Sequence, residues 1–410
     1  MNIIFIHQNF PGQYKNIAAF LSASPNNQVL AIGDRKNIHT QDPRLQYGLY
    51  GTPSPVHNDI HPWLAPLANH TQRGIAAARV LRTIKTKGFK PDLIFGHLGW
   101  GDCMFVKDEF PDVPFIGFLE FFYNAQGADC NFDPEFPSSS ELSHNLRLKN
   151  ATQLVSLPLM DSAISPTHWQ AKQYPHFIRE QINIIHEGIN TTIIKPAEQP
   201  VSLQILSKGL QLTQDNEIVT FVNRNMEPYR GFHTFMRALP DFLQQRPNAH
   251  VLIVGGDNVS YGTPPKNAKT WREALLNEVG NQIDSSRVHF LGKIPYADYL
   301  KILQLSTVHV YLTYPFVLSW SMLEAMSAGC FVIGSNTGPV TEVIQDGING
   351  WLTDFFDSQT LAKKMAHAIE YRRELQPLRQ AARQTIIEKY DLHTRCLPQY
   401  IELINKTIKK

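Results

Sequence analysis

Residues 308–352 read VHVYLTYPFVLSWSMLEAMSAGCFVIGSNTGPVTEVIQDGINGWL, and this stretch decides the fold class. A short β-rich apolar run, 308–313, is bounded by Tyr314 and Pro315. A helix predicted to start at Ser319 carries Met322, Leu323 and Met326 at helical spacing, and Gly329 is placed to end it. A second apolar run, 331–334, leads into a Gly-Pro turn, a short helix and the turns at Gly347 and Gly350. Strand, loop and helix, repeated, is the βαβ grammar of a parallel sheet, in which ligands sit beyond the carboxyl ends of the strands. The loops 315–319 and 336–341 are therefore expected to address one site, with the Glu324 carboxylate little more than a turn into the first helix.

Working outward, a chain of 410 residues is too long for one ordinary core, so two α/β domains are expected. A formal charge of +2 and the lack of any basic run interleaved with aromatics give no reason to expect a nucleic-acid partner. Cys103, Cys130, Cys330 and Cys396 lie far apart without metal-ligand spacing, and read as reduced, mostly buried thiols. The start, MNIIFIHQNF, is too short an apolar run and too poor in basic residues for a signal peptide; it reads as a first strand. No apolar run approaches the ~18 residues of a membrane span. These features point to a cytoplasmic protein.

The amino half repeats the strand-to-loop pattern. The strand at 2–7 enters Gln8-Asn9-Phe10-Pro11-Gly12-Gln13 and then a helix at 14–21, a geometry that brings backbone N–H groups to a helix start. Residues 40–70 show no period and read as a long irregular loop. His57, His61 and His70 fall in it, but no cysteine or carboxylate completes a metal set at helical spacing, so they read as loop histidines and no metal is expected. A helix at 71–86 carries Arg73, Arg79, Arg82 and Lys85. The favoured reading is a solvated face, and the alternative is docking to an anionic inner membrane face or a polyprenyl-phosphate acceptor. A strand at 93–95 opens into the glycine-rich loop holding His97, and a strand at 114–119 ends at Glu120, a carboxylate flanked by Phe121, Phe122 and Tyr123. Residues 124–150 read as polar and irregular, and 195–201 (KPAEQPV) as the interdomain linker. Beyond it, a strand at 218–222 runs into a loop with Arg224 and Arg230, a plausible diphosphate clamp ahead of a helix at 233–239.

Taken together, Arg224 and Arg230-Gly231, Gly255-Gly256-Asp257, Val288-His289-Phe290-Leu291-Gly292, Leu323-Glu324-Ala325-Met326 and Gly347-x-x-Gly350 resemble glycosyltransferase family 4, in this order and at these separations. The amino half, with HQNFPGQY, is similar to a subgroup that begins with an Asn-Phe-Pro-Gly-Gln turn. The resemblance implies the GT-B fold: two Rossmann-like domains, 1–197 and 198–392, with parallel sheets facing across a cleft and a terminal helix near 393–410 packing back on the first. It implies retaining, metal-independent transfer of a hexose-type sugar from a nucleoside-diphosphate donor to an acceptor hydroxyl, with no further cofactor. Competing activities are a sugar-nucleotide 2-epimerase on the same fold and a non-catalytic sugar-nucleotide-binding subunit.

The resemblance also implies roles by position. Arg224 and Arg230 bind diphosphate, Arg230 standing where a Lys is usual and one residue further on; Glu324 binds ribose; and Val317, Leu318 and Ser319 offer backbone N–H groups. Gly255, Leu291 and Gly292 line the nucleotide, while Gly12 and His97 approach the donor from the amino domain. Two departures stand out. Phe316 occupies the place of the first Glu of the family's Glu-x7-Glu motif, and Glu120 occupies the place of a His that contacts donor sugar. These departures leave two readings: a carboxylate moved from one domain to the other, or a donor that differs from the family's common hexoses.

Overall fold

The computed structural model describes residues 1–56, 60–205 and 209–409; His57 lies outside the described residues. The chain forms two compact units, Met1–Gly188 with Leu392–Lys410, and Ile189–Asp391.

The first unit is built on a seven-stranded sheet. Its strands are β1 (Asn2–Ile6), β2 (Gln28–Asp34), β3 (Gln46–Tyr50), β4 (Leu93–His97), β5 (Phe115–Phe118), β6 (Ser162–Ser165) and β7 (Ile182–Ile184), in the order β3-β2-β1-β4-β5-β6-β7. All pairs are parallel. Ile3, Ile4, Phe5 and Ile6 of β1 are all fully buried. An unbroken apolar run of this kind suits a strand covered on both faces, which alternation would not. Tyr400, Leu403 and Ile404 of the helix Leu397–Ile408 share a core cluster with Phe5, Tyr14 and Phe95.

The second unit begins with an antiparallel hairpin, β8 (Ser202–Ile205) and β9 (Leu210–Thr213). A six-stranded sheet follows: β10 (Ile218–Asn225), β11 (His250–Gly256), β12 (Val288–Gly292), β13 (Val308–Tyr311), β14 (Phe331–Ser335) and β15 (Trp351–Thr353), ordered β12-β11-β10-β13-β14-β15. In both units the strand order therefore reverses beside the first strand of the sheet, at β1/β4 and at β10/β13. The carboxyl ends of strands at such a reversal leave a crevice that no connection crosses, which is where open α/β sheets bind ligands.

Three expectations need correction. Residues 40–70 are not one irregular loop: they hold the edge strand β3, and a helix of residues Ala65–Thr86 starts well before Thr71. The strand escapes periodicity because it is half-exposed and because Gly48 closes on Val80 and Ile84, a contact that leaves no apolar side chain to read. The helix Leu142–Ser156 lies partly in the segment read as irregular; Asn150, Thr152, Gln153 and Ser156 are among its buried residues, so its inner face carries little apolar signal. The chain passes to the second unit at Gly188–Ile189, ahead of the linker-like 195–201. Ile189 and Ile194 are buried in the second unit's core, and the Arg383 guanidinium donates to the carbonyls of Thr191, Ile194 and Ser327.

Arg79, Arg82 and Lys85 of the helix Ala65–Thr86 are exposed, as on a solvated face, and several of its basic side chains reach partners along the surface. Arg82 pairs with Glu109 at 2.6 Å, Lys85 donates to the Glu109 carbonyl and Arg73 to the Trp100 carbonyl. No helix among the described residues is long and apolar enough to cross a membrane.

Candidate functional site

In the second unit the reversal point is formed by the ends of β10 and β13. The register between β10 and β11 slips between Val222 and Asn225, so β10 carries one more residue than its neighbour. Such a bulge re-aims a side chain, and Arg224 falls on it, exposed at the end of a buried strand. The bulge lies beside Gly255, which adopts φ +152°; a Cβ there would lie 2.4 Å from the Asn223 carbonyl oxygen. Leu291 and Gly292 end the next strand, β12, with Gly292 at φ +67° and open space around it.

Arg230 is placed quite differently. It is buried, and its Nη1 donates to Thr313 Oγ1 (2.7 Å), the Val317 carbonyl (2.9 Å) and Tyr311 Oη (3.2 Å). Tyr311 Oη in turn accepts from Ser319 N at 2.8 Å, and Tyr314 N donates to the Tyr229 carbonyl. The guanidinium thus pins the loop 313–319 from behind, and only Arg224 of the two arginines stands open. Burial works against the Arg230 charge, but Tyr311, Tyr261 and Glu227 around it more than compensate and hold its pKa above the usual value.

Phe316 is buried within this support. Its ring lies 5.3 Å from Tyr229 and 5.0 Å from Tyr261, and Arg230 sits 5.9 Å from its centre. Where the motif leads one to look for a carboxylate, an aromatic ring packs against a cation. Glu227, which the motif pattern does not single out, holds Tyr261 in place: its buried carboxylate accepts from the N–H groups of Ser260, Tyr261 and Gly262. Its signal in the sequence is only a charged residue ahead of Pro228.

Beyond the loop, Ser319 caps the helix Trp320–Ser327 by accepting from Ser321 N, while Val317 and Leu318 lead into it. The second loop is tied to the first, because Thr337 Oγ1 donates to the Thr313 carbonyl and Ser335 Oγ accepts from Thr313 N. Glu324 emerges a turn later, only partly buried. Its two oxygens accept from Tyr296 Oη (2.6 Å) and Tyr299 Oη (2.7 Å). These tyrosines follow Gly292 on the helix Tyr296–Leu305, so they join the β12 terminus to the Glu324 carboxylate. Nothing in the sequence announces the pairing, since the partners are 28 and 25 residues apart.

In the first unit the reversal point gathers Gly12, His97 and Glu120. His97 ends β4, and its ring stands edge-on to His7, just past β1, at 5.0 Å. Glu120 lies two residues past β5, with Oε2 3.3 Å from His97 Nε2 and Oε1 accepting from Gln13 Nε2 at 2.6 Å. Of the loop histidines, His70 is bonded to Thr152 Oγ1 and His61 accepts from Trp63 N. The four cysteines are free, and Cys103, Cys330 and Cys396 are buried.

Two family models match consecutive parts of the sequence: "Glycosyl transferase family 4 group" over residues 25–194 and "Glycosyl transferases group 1" over residues 204–385. The chain belongs to glycosyltransferase family 4. Among curated relatives of this family 4 chain, the D-inositol 3-phosphate glycosyltransferase of Nocardioides sp. is 22% identical over 51% of this chain and 46% of its own length. Spore coat protein SA of Bacillus subtilis is 29% identical over 35% of this chain and 36% of its own. The match thus spans less than half the length of either relative. Solved structures align along nearly the whole chain. Sucrose-phosphate synthase from Thermosynechococcus elongatus gives a TM-score of 0.72 at 16% identity, covering 99% of this chain and 98% of that one. Anabaena Alr3699/HepE in complex with UDP and glucose gives 0.68 at 18% identity, covering 99% and 100%. With two parallel-sheet α/β units and these neighbours, the family 4 chain has the GT-B fold.

Proposed function

We propose that this protein is a retaining glycosyltransferase that moves a sugar from a nucleoside-diphosphate sugar to an acceptor hydroxyl, in the making of a polysaccharide, glycolipid or glycoconjugate. The observation that carries the reading is the β10/β13 junction, where exposed Arg224 stands beside a loop that buried Arg230 holds from behind. The HepE complex with UDP and glucose supports a donor of this class.

As the bond from the anomeric carbon to the diphosphate breaks, its electron pair passes to the phosphate oxygen, and the developing charge must be met by donors already in place. In this reading Arg224 takes the diphosphate with its planar fork, and backbone N–H groups of Val317 and Leu318 add to it at the start of the helix Trp320–Ser327. One such preorganised donor contributes about 3 kcal/mol, or roughly 100-fold in rate. The new bond forms from the acceptor oxygen on the face the diphosphate leaves, and the acceptor proton departs with the leaving group. Charge compensation comes from Arg224 and N–H dipoles, without a metal ion. Glu324, oriented by Tyr296 and Tyr299, takes the ribose hydroxyls. Glu120 accepts from a hydroxyl of the sugar substrate.

The test is turnover of UDP- and GDP-sugars with and without a panel of hydroxyl acceptors. Nucleoside diphosphate released only with acceptor, together with a glycoside of retained anomeric configuration, is the expected result. Altered sugar or free nucleotide formed without acceptor would place the chain with the epimerases, and binding without any turnover would make it a binding subunit.

A further inference from the structure

The Asn9-Phe10-Pro11-Gly12-Gln13 turn follows β1 at the β1/β4 reversal point. Its hydrogen bonds form a single directed chain. Asn9 N–H donates to His7 Nδ1 at 2.9 Å, so the neutral ring carries its proton on Nε2. That Nε2–H donates to Gln13 Oε1 at 2.8 Å, which fixes the orientation of the amide. Gln13 Nε2 is thereby left pointing at Glu120 Oε1, 2.6 Å away. Gly12 makes the approach feasible. It adopts φ +46°, and a Cβ on it would lie 2.7 Å from His7 Nε2.

The other oxygen of Glu120 is treated in the same way. Gly99 N–H donates to His97 Nδ1 at 3.2 Å, so the His97 proton sits on Nε2, facing Glu120 Oε2 at 3.3 Å. That contact is too poorly aligned to count as a full hydrogen bond, and leaves His97 Nε2 without another partner. The Glu120 carbonyl accepts from Gln170 Nε2 at 2.7 Å, which anchors the main chain. The carboxylate is thus approached by a donor at each oxygen while its side chain stays 26% exposed.

We propose that Gln13 is the positioning residue for Glu120: locked by His7, its amide aims the carboxylate as the acceptor for a substrate hydroxyl. This rests on the reading of Glu120 as a substrate contact. The turn then has a reason for each polar member. Asn9 N–H sets the His7 tautomer, Gly12 admits the ring, and Gln13 carries the effect 107 residues along the chain to Glu120.

The groups facing Glu120 act together. Burial pushes its carboxyl up, but His97 first and the Gln13 donor after it outweigh that, and its pKa lies below the ordinary carboxylate value. His7 is kept neutral, with its pKa lowered to about 3, first by burial and then by His97. Tyr174 also faces the carboxylate; burial first and Glu120 next push its phenol up, so it stays protonated. Removing the Gln13 donor takes away one charge-assisted bond, so the Glu120 midpoint should rise by about one pH unit.

The experiment uses the full-length protein with 13C in its Glu carboxyl groups. Glu120→Gln identifies the Glu120 resonance by its loss, and Gln13→Met removes the amide while keeping the side chain's length and packing. UDP-glucose, together with a hydroxyl acceptor that supports turnover of the wild type, is the activity probe, read as UDP release. Gln13→Met is expected to raise the Glu120 midpoint by about one unit and to slow UDP release about 10- to 100-fold. An unmoved midpoint in Gln13→Met overturns the proposal, whatever the activity does. A raised midpoint with UDP release unchanged in both Gln13→Met and Glu120→Gln overturns instead the reading of Glu120 as a substrate contact.

Discussion

Replacing Arg230 with Ala tests whether a buried cation, rather than a ligand, organises the 313–319 loop. In the native protein its Nη1 serves Thr313 Oγ1, the Val317 carbonyl and Tyr311 Oη, and its Cζ lies 5.3 Å from the ring centre of Tyr261 and 5.9 Å from that of Phe316. The two hydroxyls can rotate toward other partners, but the Val317 carbonyl cannot. A stranded acceptor costs about 1–3 kcal/mol, and the lost contact with the rings roughly 0.5–2 kcal/mol. With the hydroxyl bonds, the total comes to about 3–5 kcal/mol. For a unit of some 200 residues this corresponds to a melting point lower by roughly 6–20 °C. Calorimetry is the appropriate assay because two units need not melt as one. Arg230→Lys should recover only part of the loss, since an ammonium is a compact point charge that does not reproduce the guanidinium's planar fork between three acceptors and two rings. Arg224→Ala is the control, because an exposed side chain should change stability by less than ~0.5 kcal/mol. An Arg230→Ala protein melting within about 2 °C of wild type would refute the reasoning.

Glu324→Ala should weaken nucleoside diphosphate binding about 10-fold or more and also lower the melting point, because it strands the hydroxyl of buried Tyr299. Adding Tyr299→Phe should restore the stability without restoring the affinity; recovery of both would mean that Glu324 serves only the tyrosines. Asp102 is buried, accepts from Tyr50 Oη, and has its pKa raised to about 6, chiefly by burial. Its folded pKa exceeds the unfolded one, so its ionisation removes stability as pH rises from about 4 through 6. Asp102→Asn, which keeps the acceptor for Tyr50, should therefore stabilise the first unit by on the order of 2 kcal/mol at pH 7.5 and hardly at all at pH 4; a gain independent of pH would contradict this.

Much of the architecture is legible in residues 308–352. The apolar runs become β13 and β14, Ser319 caps the intervening helix, and Gly329 ends it at φ +83°. Parallel strands buried on both faces leave continuous apolar runs, a signal that needs no knowledge of partners. Strand β3 leaves none, being half-exposed and packed through Gly48. The site is legible to a lesser degree. Local sequence places Arg224, Glu324, His97 and Glu120 at strand ends or early in a helix, but whether a charge is open or already occupied is a tertiary property. Arg224 and Arg230 look alike in sequence, and the β10 bulge and the fold of the 313–319 loop separate them. The same holds for Tyr296 and Tyr299 beside Glu324, and for Gln13 beside Glu120, whose partners are distant along the chain.

The central claim is that the β10/β13 junction holds the donor's diphosphate through Arg224. Isothermal titration of UDP and GDP into wild type and Arg224→Ala, with melting points measured in parallel, tests it most directly. One of these nucleotides is expected to bind the wild type, and Arg224→Ala to lose about 10- to 100-fold in affinity at an unchanged melting point. Equal affinity in the two proteins, or no binding of either nucleotide to the wild type, would contradict it.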